Sequence, residues 1–169
     1  QLSAAGLDVT VEGEGANGTF HIDLFEDVAP NHVERITTLA EEGAYDDVVF
    51  HRVIDGFMAQ TGDVEHGKMG GDMRMAGMGG SEMPDLSAEF SDRDFGRGTV
   101  GMARSQNPDS ANSQFFIMFA PAPHLNGQYT VVGEVTSGMD VIDAIKRGTG
   151  RNGAVVGQPD RMVSVEVTD

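Results

Sequence analysis

Alternating apolar and polar positions predict a β-hairpin at the start of the chain. Apolar residues occupy every second position over residues 7–11, and the pattern repeats over residues 20–24. Such alternation is typical of strands with one buried face, because successive side chains of a strand point to opposite sides. The pair Asn17-Gly18 between the two runs favours a tight turn. Asn17-Gly18-Thr19 also fits a glycosylation acceptor, but we interpret it as the turn of the hairpin.

Two other segments carry apolar residues at helical spacing. The first lies between Pro30 and Gly43, and we expect Asn31 and Glu34 to form a capping box at its start. Glycine commonly ends a helix, so Gly43 marks its end. The second helix is predicted over residues 139–147, where a basic pair at the end suits the negative end of the helix dipole.

The remaining apolar runs complete a mainly β fold. Six further strands are predicted at residues 48–54, 57–61, 99–103, 114–119, 129–135 and 162–167. Eight strands with two helices and no βαβ rhythm predict an eight-stranded closed antiparallel β-barrel capped by two α-helices. We expect a single domain over residues 1–169, with a flexible N-terminus at 1–6 and a long loop rich in glycine and methionine at 65–84.

The composition excludes several functional classes. The net charge of −16 repels a phosphate backbone or an anionic membrane surface, so neither nucleic acid nor a membrane is an expected partner. The chain has no cysteine, which excludes disulfides, thiol nucleophiles and zinc-thiolate sites. Its five histidines lack the spacing of a zinc motif, so we predict no metal site.

The first residues bear on where the protein acts. The chain begins with Gln1, which is not an initiator, and this indicates that it has been trimmed. The small residues Ser3-Ala4-Ala5 are of the kind found near a signal-peptidase cleavage site. We therefore favour an exported, periplasmic protein over a cytoplasmic one.

Three polar side chains stand out among apolar neighbours. Arg52 lies in an apolar run, where an isolated arginine either pairs with a buried carboxylate, the commoner case, or opens onto a cleft. Gln60 alternates with Met58, and Gln114 alternates with Phe116. Two glutamines beside aromatic residues and an arginine favour an apolar pocket with a few convergent hydrogen-bond donors.

Other motifs give weaker indications of chemistry. The run Gly77-Met78-Gly79-Gly80 lacks the strand, the helix and the Gly-Lys-Ser/Thr ending of a phosphate loop. The serines of residues 105–113 lie in a turn-rich segment without the Gly-x-Ser-x-Gly elbow of serine hydrolases. The ten methionines of the chain form either an adaptable binding surface or flexible filler.

Longer segments show a resemblance to a known family. Residues 50–63, Phe-His-Arg-Val-Ile-Asp-Gly-Phe-Met-Ala-Gln-Thr-Gly-Asp, closely resemble the signature of the cyclophilin-type peptidyl-prolyl isomerases. Residues 97–104, 112–117 and 124–133 match further blocks in the order of that family, and the resemblance covers roughly residues 7–167. It implies a closed eight-stranded barrel capped by two helices, cis-trans isomerisation of X-Pro bonds, and no cofactor.

The resemblance also implies which residues form the site. Arg52 corresponds to the catalytic arginine of the family. The substrate-binding positions of the family fall here on His51, Phe57, Met58, Gln60, Gly77, Ala103, Arg104, Gln114, Phe116, His124, Leu125 and Tyr129. Residues 77–80 match the glycine-rich loop of the family beside the pocket, which explains these glycines without a bound phosphate.

The chain departs from the family pattern around the expected pocket. Arg104 stands where members often have Asn, His124 where some have Trp, and Tyr129 where many have His. Bacterial members often show this variation, so we expect isomerase activity but only weak binding of cyclosporin. The segment between Asp63 and Gly77 is longer than in compact members, and it bears on the choice of partner.

Isomerisation suits these residue types. Rotation about an X-Pro bond breaks no covalent bond, so a catalyst needs only to bind the twisted amide more tightly than either planar isomer. A fixed guanidinium such as that of Arg52 can donate to the prolyl nitrogen as amide resonance is lost. We expect a monomer that acts on proline-containing polypeptides and assists their folding. The alternative is a proline-peptide binding module or chaperone on the same barrel, with incidental turnover.

Overall fold

The computed structural model describes residues 5–168. Residues 1–4 and Asp169 lie outside the described residues, and with them most of the predicted N-terminal segment and of the predicted cleavage site. Gly6 already belongs to the first strand. Among the helices of the described part, none is long and apolar enough to cross a membrane.

One antiparallel sheet forms the framework of the fold, and the predicted mainly β class is confirmed. The nine strands within residues 5–168 are β1 (Gly6–Glu12), β2 (Gly18–Leu24), β3 (Val48–Val49), β4 (Arg52–Ile54), β5 (Met58–Thr61), β6 (Thr99–Met102), β7 (Phe115–Met118), β8 (Val131–Ser137) and β9 (Arg161–Thr168). The helices are α1 (Pro30–Glu41) and α2 (Met139–Asp143), with a 3-10 turn at Pro123–Leu125. The strands follow the order β3-β9-β1-β2-β8-β6-β7-β5-β4.

The closed eight-stranded barrel predicted from the sequence is wrong in strand number and in closure. The predicted strand 48–54 is two strands, β3 and β4, because the backbone between them bonds to a loop. The Phe50 N–H donates to the Asp160 carbonyl at 2.9 Å, and the His51 carbonyl accepts the Val155 N–H at 3.2 Å. β3 and β4 are therefore the two edges of the sheet, which curls into a half-barrel.

The predicted hairpin is confirmed. β1 pairs with β2 in a register that places Leu7 opposite Ile22. Both side chains are 1% exposed, so the apolar faces of the two strands coincide in the interior. The connection between the strands spans residues 13–17, longer than the expected two-residue turn, and Asn17 Nδ2 donates to the Gly13 carbonyl at 3.0 Å across it.

Helix α1 packs against β9, but its start differs from the prediction. In the described residues the N-cap position makes no side-chain capping bond, so the predicted capping box of Asn31 and Glu34 is wrong. The Glu89 carboxylate instead accepts the backbone N–H groups of Asn31 and His32, at 3.1 and 3.0 Å. A carboxylate at this place also complements the positive end of the helix dipole.

Helix α2 is shorter than the predicted range of 139–147. Its last turn tightens, since the Ala144 N–H donates to the Val141 carbonyl three residues back. The N–H of Lys146 then donates to the buried Asp160 carboxylate at 2.7 Å instead of continuing the helix. That carboxylate therefore sets where α2 ends.

Two apolar clusters fill the interior. The larger cluster joins β1, β2 and β9 with both helices. The smaller cluster joins β5, β7 and the 3-10 turn, and consists of Met58, Phe95, Phe116, Met118, Ala122, Leu125 and Val131. The smaller cluster supports the candidate site.

Candidate functional site

Arg52 is held by a chain of side-chain hydrogen bonds, which we call the relay of Arg52, Gln60 and Gln114. Pairing of β4 with β5 places Arg52 opposite Gln60, and pairing of β5 with β7 places Gln60 opposite Phe116. Arg52 Nη1 donates to Gln60 Oε1 at 3.0 Å, and Gln60 Nε2 donates to Gln114 Oε1 at 2.9 Å. Arg52 thus bonds to neutral oxygens here, and the three polar residues singled out in the sequence lie together.

The relay continues into the glycine-rich loop. Gln114 Nε2 donates to the carbonyl oxygens of Gly77 and Gly79, both at 2.9 Å. Asp63 holds the same loop, because its Oδ2 accepts the N–H groups of Gly77 and Gly79 at 2.7 and 3.0 Å. Its Oδ1 accepts two more backbone N–H groups, at 3.0 and 2.9 Å. Four such bonds satisfy a carboxylate that is fully buried.

Gly77 brings the loop against the ring of His51. It has a φ of +98°, and a Cβ atom there would lie 2.9 Å from His51 Nε2. Glycine permits both the backbone conformation and this close approach. Asp63 was not singled out from the sequence, although an acid two residues after the end of an apolar strand marks a candidate position.

An apolar surface lies beside the Arg52 guanidinium. It is formed by Phe57, Met58, Phe116 and Leu125, with Ala103 and Tyr129 at its margin. The Phe116 ring stacks on Phe95 with centroids 5.8 Å apart, and Tyr129 meets Phe116 edge-on at 5.7 Å. Phe116 is 5% exposed, so the smaller apolar cluster supports this surface from within.

These groups line one cleft of about 540 Å³. All but two of the predicted site residues line it, namely His51, Arg52, Phe57, Met58, Gln60, Gly77, Ala103, Arg104, Phe116, Leu125 and Tyr129. Gln114 instead lines a neighbouring cleft of about 430 Å³. His124 is outside the lining and stacks on Phe57 with ring centroids 5.9 Å apart.

Two loops contribute residues beyond the predicted ones and complete the cleft. The long loop contributes Met73, Arg74, Ala76 and Met78, and the loop before β9 contributes Asn152, Ala154, Val155 and Pro159. The second loop also fixes Arg52, whose Nε donates to the Asn152 carbonyl at 2.8 Å. Neither loop has a periodic pattern, so apart from residues 77–80, which the family resemblance places beside the pocket, only the fold reveals which loop residues line the cleft.

His51 is neutral at physiological pH. Burial, helped by the Arg52 charge and opposed by Asp63, lowers the pKa of His51 to about 4. Its Nδ1 atom is buried and has no hydrogen-bond partner within residues 5–168. An uncharged ring packed under Gly77 supports the loop, and its protonation would place a second charge beside Arg52.

Two of the departures from the family pattern contact each other. The Arg104 guanidinium lies over the Tyr129 ring, 4.3 Å from its centroid. Arg104 Nη2 donates to the Gln128 carbonyl at 2.6 Å, and Nη1 donates to the Ser105 carbonyl at 2.9 Å. The arginine is therefore folded onto the aromatic margin of the cleft.

The cleft combines a fixed guanidinium donor with an apolar surface. Such a combination can hold an apolar ring and donate a hydrogen bond to an atom next to it. The part of the chain that the structure describes holds no group of three His, Asp or Glu side chains able to bind a metal ion.

Comparisons with known proteins agree with this arrangement. The family model "Cyclophilin type peptidyl-prolyl cis-trans isomerase/CLD" matches residues 7–167. A Brucella suis protein named probable peptidyl-prolyl cis-trans isomerase is 56% identical over 167 residues, covering 98% of this chain and 85% of that protein. A crystal structure of a Cryptosporidium parvum cyclophilin type peptidyl-prolyl cis-trans isomerase has a TM-score of 0.80 at 21% identity and covers 99% of both chains. Its structure in the presence of the dipeptide Ala-Pro has a TM-score of 0.79 at 22% identity, covering 97% of this chain and 99% of that one.

Proposed function

Because this chain belongs to the cyclophilin type peptidyl-prolyl cis-trans isomerases, we propose that Arg52 is its catalytic residue. The chain is an enzyme that accelerates rotation about X-Pro peptide bonds. Distinct roles follow for the guanidinium and for the apolar surface beside it.

The guanidinium stabilises the twisted amide. Rotation about an X-Pro bond must break amide resonance, which sets an uncatalysed barrier of roughly 18–20 kcal/mol. At the twisted geometry the prolyl nitrogen regains its lone pair and becomes a hydrogen-bond acceptor. A guanidinium fixed beside that nitrogen binds the twisted amide more tightly than either planar isomer, and this lowers the barrier. No covalent bond breaks, so the reaction requires no nucleophile, metal or cofactor.

One observation carries this proposal, namely that the Arg52 guanidinium is fixed on one side and free on the other. Its Nε atom is bonded to the Asn152 carbonyl and its Nη1 atom to Gln60. Its Nη2 atom makes no hydrogen bond within residues 5–168, so its N–H groups are available to a substrate in the cleft. Because the guanidinium is oriented in advance, little reorganisation is needed as the amide twists.

The apolar surface provides the place for the proline ring. Phe57, Met58, Phe116 and Leu125 lie beside Arg52, so a ring held there has its nitrogen within reach of the guanidinium. Gln60 and Gln114 position Arg52 through the relay. The substrates are proline-containing polypeptides, and the Ala-Pro present with the Cryptosporidium relative is the smallest unit with an X-Pro bond.

Isomerisation of an Ala-Pro test peptide, followed by NMR exchange, tests the role of Arg52. We expect Arg52→Ala to lower kcat/KM by about 10²–10³-fold, as removal of a preorganised donor does in other enzymes. Arg93→Ala is the matched control, because Arg93 is exposed, lies outside the cleft lining and stacks on Phe25. This control should keep the wild-type rate.

The same assay distinguishes two contrary outcomes. A wild-type rate in Arg52→Ala would assign catalysis to another group in the cleft. Binding of the peptide without accelerated exchange by the unaltered chain would favour a proline-recognition module over catalysis.

A further inference from the structure

The cleft extends past Arg52 into a part that the roles above leave unused. One edge of β4 pairs with β5, where Arg52 faces Gln60, and the other edge meets Ala154 across an isolated bridge to Arg52. The apolar surface for the proline ring lies toward β5. The part lined by residues of the two loops, which we call the methionine arm, consists of Met73, Ala76, Met78, Ala154, Val155 and Pro159.

The methionine arm is apolar and adaptable. Methionine is unbranched and polarizable, so it can fit apolar groups of different shape. Met78 is 74% exposed, so its side chain is accessible to a group that enters the cleft. Arg74 also lines this part of the cleft, and its charge is paired with Asp72 through two bonds of 3.1 Å. The arm therefore favours an apolar group over an acidic one.

Continuity with the catalytic cleft identifies the occupant. An extended chain advances about 3.3 Å per residue, so a residue one or two positions from a proline seated beside Arg52 reaches past the guanidinium. The Arg52 backbone faces both Gln60 and Ala154, which places Ala154 of the arm directly beside the catalytic arginine. A substrate polypeptide that enters the cleft therefore passes the arm.

We propose that the methionine arm binds a large apolar side chain of the substrate, within two residues of the isomerised proline. Met73 and Met78 are then specificity-determining residues, and polypeptides with Leu, Met or Phe near the proline are the preferred substrates. This inference rests on the proposed function, because it takes the proline to be seated beside Arg52.

Peptide binding measured by NMR titration tests the inference. The peptides are Ala-Ala-Pro-Ala-Ala and the four derivatives in which one alanine is replaced by leucine. We expect one derivative to bind the wild type about five- to tenfold more tightly than the parent, because the arm buries its leucine. The double variant Met73→Ser, Met78→Ser should lose this advantage. Met75→Ser should keep it, because Met75 is 39% exposed in the same loop but does not line the cleft.

Two results would overturn the inference: no leucine position gains affinity in the wild type, or the gain survives in the double variant. Exchange rates in the same samples test the proposed function separately. If the wild type binds a leucine peptide more tightly than the parent peptide but does not accelerate its cis-trans exchange, the isomerase assignment is contradicted and the methionine arm is supported.

Discussion

The two parts of the cleft are built in different ways. The part that receives the proline stands on paired strands, where the registers of β4, β5 and β7 make Arg52, Gln60 and Phe116 neighbours. The methionine arm stands on two loops, and the long loop is fixed by the bonds of Asp63 to Gly77 and Gly79. Paired strands hold their side chains rigidly, and the Arg52 guanidinium needs this rigidity because it donates to one atom, the prolyl nitrogen. Loops can instead present side chains that adapt to different groups.

This difference assigns catalysis to the strand-built part of the cleft and the choice of substrate to the loop-built part. The reaction is the same for every X-Pro bond, so the strand-built part needs one geometry. The flanking residues of substrates differ, so the loop-built part benefits from methionines that adjust. The two parts are joined at Gln114, which bonds to Gln60 on one side and to Gly77 and Gly79 on the other.

Breaking the anchor of the long loop should have the largest effect on stability. Asp63→Asn keeps the shape of the side chain but replaces one acceptor oxygen with an amide donor, which then faces backbone N–H groups. Leaving these buried N–H groups unpaired should cost about 2–4 kcal/mol of the free energy of unfolding. We also expect kcat/KM to fall by roughly tenfold, because the glycine carbonyls that orient Gln114 shift. Urea unfolding and peptide exchange measure the two quantities.

A second buried carboxylate provides the matched control. Asp160 is also fully buried, and it accepts the backbone N–H groups of Gly15, Ala16 and Lys146. Asp160→Asn should destabilise the fold to a similar extent and leave kcat/KM of the folded protein unchanged. An equal loss of kcat/KM in both variants would mean that Asp63 acts through overall stability and not through the loop.

The parts of the fold with one buried face could be predicted from the sequence. The hairpin of β1 and β2 follows from strict alternation, because each strand has a polar and an apolar side. The run 48–54 is apolar on both sides, so its pattern cannot show that the ladder is interrupted at Phe50 and His51. The cap of α1 was missed for a related reason, since Glu89 lies far from the helix in the chain and local spacing indicated Glu34.

In the candidate site too, residues on strands with a clear apolar pattern could be predicted and residues on irregular loops could not. Arg52, Gln60 and Gln114 could be singled out because polar groups contrast with the apolar strands that carry them. The methionine arm could not, because irregular loops have no pattern against which Met73 or Val155 would stand out. The position of Asp63 after an apolar strand marks it as a candidate, but its role depends on backbone N–H groups of Gly77 and Gly79, which the sequence pattern does not connect to it.

Acid should destabilise the folded protein through His51, whose ring packs under Gly77 of the long loop. Because burial lowers the pKa of His51 from 6.5 to about 4, the unfolded chain takes up this proton at higher pH than the folded protein. The contribution of His51 to stability is therefore fully present above about pH 6.5 and is lost as the pH falls toward 4. Urea unfolding measures the free energy of unfolding at about pH 7.5 and 4.5. Between these pH values, the decrease of this free energy should be smaller in His51→Gln than in the wild type, by on the order of 2 kcal/mol.

The stabilising contribution of His21 should depend on pH in the opposite direction to that of His51 in the same experiment. A hydrogen bond to Asp8, with a further one to Asp23, raises the pKa of His21. Its stabilisation is fully present below about pH 6.5 and is lost as the pH rises through the raised pKa. His21→Gln should therefore cost more stability in acid than at neutral pH. If both substitutions changed the pH dependence of the free energy of unfolding in the same direction, the His51 effect could not be assigned to its burial.

The smallest effect is expected from cutting the relay without changing the shape of the cleft. Gln60→Met removes the bond to Arg52 Nη1 and leaves Gln114 Oε1 without its donor, while Arg52 Nε keeps its bond to the Asn152 carbonyl. We expect kcat/KM for the Ala-Pro peptide to fall roughly tenfold, mainly through kcat, since the surface for the proline ring is intact. Gln106→Met, at an exposed loop position, controls for the substitution itself. A rate equal to that of Arg52→Ala would show that the relay alone orients the guanidinium. An unchanged rate would show that strand register and the Asn152 carbonyl suffice, and would remove the coupling between the two parts of the cleft.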